Sequence, residues 1–319
     1  MKILVSDQNF GDGAQLERRL ATAAGAELAV ESCASEEAVA AALERHRPHA
    51  LLVQFAPVGR NALEAASELR AVVRYGIGVD NVDVAAAAER GIAVAGVPDY
   101  CIDEVADHTL ALLLAVERRI AGLAADVAGG GWSFRAAGPL RRLRGRTLGL
   151  VGFGRIARAV AERARSFGLL VAAHDSVVPD DDISSLGATP LPFDELLAGA
   201  DILSVHVPLT EQTRGLVGAE QLSLLPEGAV VLNTARGGLV DERALADALR
   251  GGKLRGAALD VLTAEPPLAG HPLAGAPNLL LTPHAAWYSE EAVLELRRKA
   301  VESALALLRG EVPSGVVSP

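Results

Sequence analysis

Cysteine is scarce, positive charge is outweighed, and no apolar run is long. The 319 residues include two cysteines, Cys33 and Cys101. Two thiols make neither a disulfide framework nor a structural zinc site, so no metal is expected and a reducing, cytoplasmic setting is the plain expectation. Forty acidic side chains against 30 basic ones give a net charge of −10. This balance argues against a nucleic-acid partner, which needs concentrated positive charge. No uninterrupted apolar stretch reaches the roughly 20 residues that span a bilayer, so no membrane partner is expected. The opening Met-Lys-Ile-Leu-Val-Ser-Asp resembles a first strand and lacks the apolar region and cleavage site of a signal peptide.

Half of the residues are hydrophobic, which suffices for two domains or one large one. The first hundred alternate short apolar runs with amphipathic stretches. Strands are expected at 2–6, 27–31, 50–54, 71–74 and 92–95, and helices at 16–24, 36–44, 61–69 and 82–90. That alternation predicts a parallel sheet covered on both faces. Two loops stand out beyond strand ends, Gln54-Phe-Ala-Pro-Val-Gly59 and Arg74-Tyr-Gly76-Ile-Gly78-Val-Asp80-Asn81. The second is either an anion-binding loop, with glycines letting N–H groups converge, or a glycine turn that Asp80 caps before the next helix.

Residues 147–175 organise the rest. Residues 147–151 form a buried strand, Gly152-Phe-Gly154 a sharp turn, 155–167 a helix, and 169–173 a second strand that leads to Asp175. This is the order of a dinucleotide-binding unit. Gly152 permits the turn, Gly154 lets a pyrophosphate approach the backbone, and Ala157 is small enough for close helix–strand packing. The helix N-terminus offers unpaired N–H groups. Asp175 has the reach for ribose hydroxyls, and no arginine follows it, so NAD is favoured over NADP.

Before this unit, 101–120 predicts one long helix able to link two domains, and Gly129-Gly-Gly131 breaks it. His108 reads as a packing or helix-surface residue, and its place near the cleft keeps a minor role open. Arg135, Arg141, Arg142, Arg144 and Arg146 make a solvated or subunit-contact face. After the unit, strands are expected at 201–205, 229–233, 257–260 and 278–281. Helices are expected at 194–198, 242–250 and 290–309, and a helix or turn at 218–225. Arg236, Glu265 and His284 follow the ends of three successive strands, where parallel sheets gather their sites. An arginine clamps a carboxylate, a histidine transfers protons near neutral pH, and a glutamate beside it favours imidazolium and holds the ring. Each alone also suits a cap, a loop acid or a turn histidine. Together they suit reversible reduction of a 2-oxo acid.

These motifs resemble those of the D-isomer-specific 2-hydroxyacid dehydrogenase family over essentially the whole chain. The matching stretches are Gly149-Leu-Val-Gly-Phe-Gly-Arg-Ile-Ala157, Ser204-Val-His-Val-Pro-Leu-Thr210, Val231-Leu-Asn-Thr-Ala-Arg-Gly-Gly-Leu-Val-Asp-Glu242, Ala258-Leu-Asp-Val261, Glu265-Pro-Pro267 and Thr282-Pro-His284. Within the family, His284-Ala-Ala-Trp-Tyr-Ser-Glu290 looks most like the C-terminal-binding-protein branch, and the loop at 74–81 resembles that of phosphoglycerate dehydrogenases.

The resemblance implies an α/β fold with two doubly wound parallel-sheet domains separated by a cleft. A flavodoxin-like substrate domain would span 1–100, completed by the helix at 290–319, and a Rossmann NAD domain 101–289. His284 would be the acid/base, Glu265 its partner, and Arg236 the clamp on carboxylate and carbonyl. Arg155 and Ile156 would meet the pyrophosphate, Asp175 the ribose, and Asp260 the nicotinamide carboxamide. His206, Val207, Pro208, Thr213, Thr234 and Ala235 would complete the cofactor site. Arg74, Ile77, Gly78 and Trp287 would bind substrate, with Trp287 and Tyr288 lining an acyl pocket. The family is usually dimeric through its cofactor domain, so a homodimer is expected. Ala157 replaces the commoner third glycine, and Ile77 stands where phosphite dehydrogenases carry lysine, against phosphite oxidation. The expected function is an NAD-dependent D-2-hydroxyacid dehydrogenase of unidentified substrate. The alternatives are an NAD(H)-responsive interaction protein with weak or no activity, or an NAD-binding subunit of a larger assembly.

Overall fold

The computed structural model describes residues 1–318, which divide into two compact units, residues 1–100 with 288–318, and Cys101–Trp287. Each is an α/β layer structure. In the first unit, β1 (Lys2–Val5), β2 (Glu27–Val30), β3 (Ala50–Val53), β4 (Ala71–Arg74) and β5 (Ala93–Ala95) pair in parallel in the order β5-β4-β3-β1-β2. The central β3 is the apolar run Ala-Leu-Leu-Val, buried at every position, as a strand covered on both faces requires. The helices start where their caps dictate. Ser35 Oγ accepts from Ala38 N–H, Asp83 Oδ1 from Ala86 N–H, and Ser289 Oγ from Ala292 N–H.

The second sheet contains β6 (Thr147–Val151), β7 (Leu170–His174), β8 (Thr189–Pro190), β9 (Ile202–Val205), β10 (Ala229–Asn233), β11 (Leu254–Leu259) and β12 (Leu279–Leu281). Its order is β12-β11-β10-β9-β6-β7-β8, all parallel. Strand side chains alternate between two cores. Leu148, Leu150, Ile202, Val230 and Leu232 face the helices Ile102–Glu117 and Arg155–Ser166. Val151, Leu203, Val205 and Val231 face the other side, packed on the helix Glu242–Arg250. Among the described residues no helix is long and apolar enough to cross a membrane.

The fold departs from sequence expectation in four places. The helix expected at 101–120 runs Ile102–Glu117, and a second, unexpected helix, Ile120–Ala128, follows a break at Arg119, whose φ is 54° and whose guanidinium donates to Asn278 Oδ1. The helix expected at 61–69 stops at Ala65, because Ala66 turns extended and Leu69 enters the core. The first sheet is not purely parallel, since Val316–Ser318 adds an antiparallel edge strand against β5. Residues 180–185 form a helix that buries only Ile183, too little apolar pattern to signal itself.

One charged cluster sits inside the second unit, beside the starts of β6 and β11. Glu117 is fully buried, 2.7 Å from Arg146 Nη1, and is also ion-paired with Arg255. Arg146 Nη2 donates to the Asp201 carbonyl, and Asp201 Oδ2 accepts from Thr147 N–H. Replacing Glu117 by Gln takes the carboxylate from the largely buried Arg255 and leaves Arg146 only the more distant Asp201 carboxylate, at 3.5 Å. We expect this to cost about 3–5 kcal/mol of stability, read as a lowered urea midpoint at unchanged slope.

Candidate active site

Register aligns the carboxyl ends of the second sheet. Val151 pairs with His174 and Val205, Val205 with Asn233, Asn233 with Leu259, and Leu259 with Leu281. The next residue on each strand is Gly152, Asp175, His206, Thr234, Asp260 or Thr282. These six residues therefore line one edge.

Gly152 has φ 93°, and a Cβ there would fall 2.8 Å from both the His206 carbonyl oxygen and Val207 Cγ1. Only glycine suits both the conformation and the space. Gly154 precedes the helix Arg155–Ser166, whose start no side chain caps, and a Cβ on Gly154 would meet nothing within 4 Å. The first-turn N–H groups, those of Arg155 and Ile156 among them, lack intrahelical acceptors and suit an anion. Ala157 is fully buried against the sheet. Asp175 Oδ2 accepts from Phe153 N–H at 2.7 Å, and Oδ1 from Val177 and Val178 N–H at 2.8 and 3.0 Å. Burial raises this carboxyl, but the three backbone donors outweigh it and hold the pKa below the ordinary value. A fixed negative charge beside the glycine turn fits ribose hydroxyls and repels a 2′-phosphate. The donor set thus fits a dinucleotide.

His206 Nε2 lies 2.8 Å from Ser204 Oγ, and burial pushes its pKa down to about 4. Val207 packs against the core, and Thr213 Oγ1 donates to the Pro208 carbonyl at 2.7 Å, closing the loop after β9. Thr109 gives its one hydroxyl hydrogen to the Val105 carbonyl, so Thr234, 2.9 Å away, donates to Thr109. The Asn233 amide straps the next turn from both ends. Its oxygen accepts from Ala235 N–H and its nitrogen donates to the Arg236 carbonyl. Arg236 has extended backbone, and its Nη1 donates to the Ala235 carbonyl. Gly237 follows because a Cβ there would overlap the Leu262 carbonyl.

Asp260 is 1% exposed and anchors the histidine loop. Its Oδ1 accepts from Thr282 Oγ1 and Ala285 N–H, its Oδ2 from Ala286 N–H, and its carbonyl from His284 N–H. His108 joins it, with Nε2 3.0 Å from Thr282 Oγ1 and 3.6 Å from Asp260 Oδ1. Sequence reading placed His108 on a packing or helix surface and kept a minor role open. The pairing of Thr282 with Asp260 carries no local signal, since the two stand 22 residues apart. His284 Nδ1 lies 2.6 Å from Glu265 Oε2, and Glu265 Oε1 accepts from Leu262 N–H at 2.8 Å. Burial raises the Glu265 carboxyl, but the bonds to His284 and Leu262 and the charge of Arg236 outweigh it and hold its pKa below the ordinary value. Arg236, Glu265 and His284 are thus brought together electrostatically, each partly exposed. Trp287 is half-buried and Tyr288 is 60% exposed.

Arg74, Ile77 and Gly78 belong to the first unit. Arg74 Nε donates to the Gln54 carbonyl at 3.1 Å, and its guanidinium fills the space where a Cβ on Gly76, at φ 148°, would stand. Ile77 is 36% exposed. Asp83, not Asp80, caps the following helix. Sequence reading missed Asp7, which accepts from the N–H groups of Gln54, Phe55 and Ala56 and so fixes the loop that holds Arg74. Among the described residues no cluster of three or more His, Cys, Asp or Glu is placed to hold a metal ion.

Residues 110–286 match the family described as D-isomer specific 2-hydroxyacid dehydrogenase, NAD binding domain. The chain is 40% identical to the D-3-phosphoglycerate dehydrogenase of Methanocaldococcus jannaschii over 82% of its own length and 50% of that protein. It is 40% identical to the glyoxylate reductase of Korarchaeum cryptofilum over 82% of its length and 80% of the relative. It therefore spans about half the length of the phosphoglycerate dehydrogenases it matches. The crystal structure of D-lactate dehydrogenase from Aquifex aeolicus with NAD and lactic acid superposes at a TM-score of 0.89 and 26% identity, covering 100% of this chain and 99% of that one. The glycine turn, the fixed Asp175 and the Glu265–His284 pair stand inside the matched segment, and the chain belongs to the D-isomer specific 2-hydroxyacid dehydrogenase family.

Proposed function

We propose that the protein is an NAD-dependent dehydrogenase that interconverts a 2-oxo acid and a D-2-hydroxy acid. The observation that carries this is the His284–Glu265 contact of 2.6 Å on the strand-end edge that also bears the glycine turn. Bound NADH supplies the hydride, and in the reverse direction NAD+ accepts it. Gly152, Gly154, Arg155 and Ile156 take the pyrophosphate and Asp175 the ribose. His206, Val207, Pro208 and Thr213 form one wall of the cofactor path, and Thr234, Ala235 and Asp260 continue it. Asp260 acts chiefly through the loop it anchors, because its oxygens already accept three hydrogen bonds.

Arg236 holds the substrate carboxylate and polarises the C2 carbonyl. Glu265 occupies Nδ1 of His284, which leaves Nε2 to deliver a proton to the carbonyl oxygen as the hydride reaches C2. In oxidation, Nε2 takes the hydroxyl proton. We assign Arg74 and the N–H groups of Ile77 and Gly78 to a carboxylate, and Trp287 to the substrate's acyl part. The relatives are named for phosphoglycerate, glyoxylate and lactate, which supports a small 2-hydroxy acid. A screen of NADH oxidation over 2-oxo acids identifies it.

We further propose a homodimer built on the cofactor unit. The helix Ile120–Ala128 buries none of its residues, and Ile120, Val127, Trp132 and Phe134 are 47–88% exposed. Cys33 and Cys101 are both buried and form no disulfide with each other, which supports a reducing, cytoplasmic location. The C-terminal-binding-protein likeness at 284–290 supports an interaction role as the second reading, and peptide capture without turnover of any 2-oxo acid would favour it.

Three outcomes test these assignments. His284→Ala lowers kcat about 10²- to 10⁴-fold, and Glu265→Gln lowers it less, while NADH binding by fluorescence titration is retained. Wild-type turnover in His284→Ala removes the acid/base assignment. Val127→Glu with Trp132→Glu converts the dimer to monomer in light scattering, and an already monomeric wild type removes the dimer. His206, at about 4 in the folded protein against an ordinary value of about 6.5, binds its proton more readily when unfolded. It makes no pH-linked contribution above about 6.5 and favours unfolding as pH falls from there toward 4. His206→Gln should therefore flatten the fall of Tm between those pH values.

A further inference from the structure

The loop that carries Glu265 is held at two points by the helix Glu242–Arg250. At its far end, Arg250 Nη2 donates to the Pro272 and Ala274 carbonyls at 2.8 and 3.2 Å, and Leu273 between them is buried in the core. At its near end, Glu242 Oε1 accepts from Thr263 N–H at 2.7 Å. Glu242 Oε2 lies 3.1 Å from His271 Nε2, and both side chains are 11% exposed. His271 Nδ1 accepts from Leu273 N–H, so the ring proton sits on Nε2, which is buried beside Glu242 at ion-pair distance without completing a hydrogen bond. Glu242 was part of a sequence motif to which no role fell.

Adjacent amides of this loop go to two different glutamates. Leu262 N–H goes to Glu265 and Thr263 N–H to Glu242. Gly237 also brings the Arg236 turn into close backbone approach to Leu262 and Thr263. The peptide that sets Glu265 is therefore held both by the arginine turn and by Glu242.

We propose that Glu242, with His271, is a positioning residue for the reaction: it fixes the Leu262–Thr263 peptide, which fixes Glu265 and through it the imidazole of His284. Glu242 touches neither substrate nor cofactor in this account. What the site needs from it is an acceptor for Thr263 N–H and a partner for His271 Nε2–H, and a neutral amide oxygen supplies the first. The proposal rests on the acid/base reading of His284 and Glu265.

The test measures kcat, the KM for 2-oxo acid, NADH dissociation constant, Tm and amide exchange for Glu242→Ala, Glu242→Gln, His271→Ala and His284→Ala. The expected result is a kcat about 10- to 100-fold lower in Glu242→Ala, with NADH affinity and Tm near wild type. Glu242→Gln recovers most of that loss, His271→Ala falls between, and faster exchange is confined to 262–276. Wild-type kcat in Glu242→Ala overturns the proposal if His284→Ala is inactive. An active His284→Ala instead overturns the acid/base reading beneath it. A Glu242→Ala that loses NADH affinity and Tm along with kcat marks a general structural role and also overturns it, as does a Glu242→Gln no better than Glu242→Ala.

Discussion

Parallel pairing in the second sheet is the constraint on which the site depends. It puts Asn233, Leu259 and Leu281 in one row. Arg236 and His284 each stand three positions past that row, whereas Glu265 stands six past it. The two shorter excursions reach the edge directly. The longer one has to come back, and the bond from Leu262 N–H to Glu265 Oε1 is what turns it. Gly237 then allows the arginine turn and the glutamate loop to touch through backbone. A one-residue slip between any two of these strands would turn the slipped strand's buried side chains to the opposite face and shift the loop at its end along the edge.

The second unit meets the cost of partly buried carboxylates chiefly with main-chain donors. Asp175 accepts three N–H groups, Asp260 two with a threonine hydroxyl, and Glu265 one with an imidazole. Such bonds keep the negative charge in place without a lysine or arginine that would compete for anionic ligands. Each also orders a loop, so the charge and the shape of the site are set together. Glu117 follows the other solution, paired with Arg146 and Arg255.

Much of this was legible in the sequence, for physical reasons. Gly152, the buried strand before it and Asp175 declare themselves locally, because turn, helix and strand are contiguous. The strands expected at 229–233, 257–260 and 278–281 follow from apolar runs, and their residues just beyond the ends suggested chemistry, whereas the Leu254-Arg-Gly256 start of the strand Leu254–Leu259 breaks the apolar pattern and went unread. Three things were hidden. Arg119 breaks a stretch of good helix formers because its side chain finds Asn278, a contact 159 residues away. The clamps by Asp7, Glu242 and Asp260 join a carboxylate to amides of distant loops, and an amide carries no residue identity to read. The edge strand at 316–318 is three residues long and pairs antiparallel to a strand more than 200 positions earlier.

His284 has φ 53°, in the left-handed region that favours glycine and that a branched or bulky side chain occupies at a cost of about 1–2 kcal/mol. Its N–H is tied to the carbonyls of Asp260 and Thr282, which keeps the ring there despite the penalty. Thermodynamic selection and catalytic selection consequently pull this one position in opposite directions. A descendant released from turnover would gain stability by exchanging the imidazole for glycine or asparagine, so erosion of the chemistry would begin at the residue that defines it.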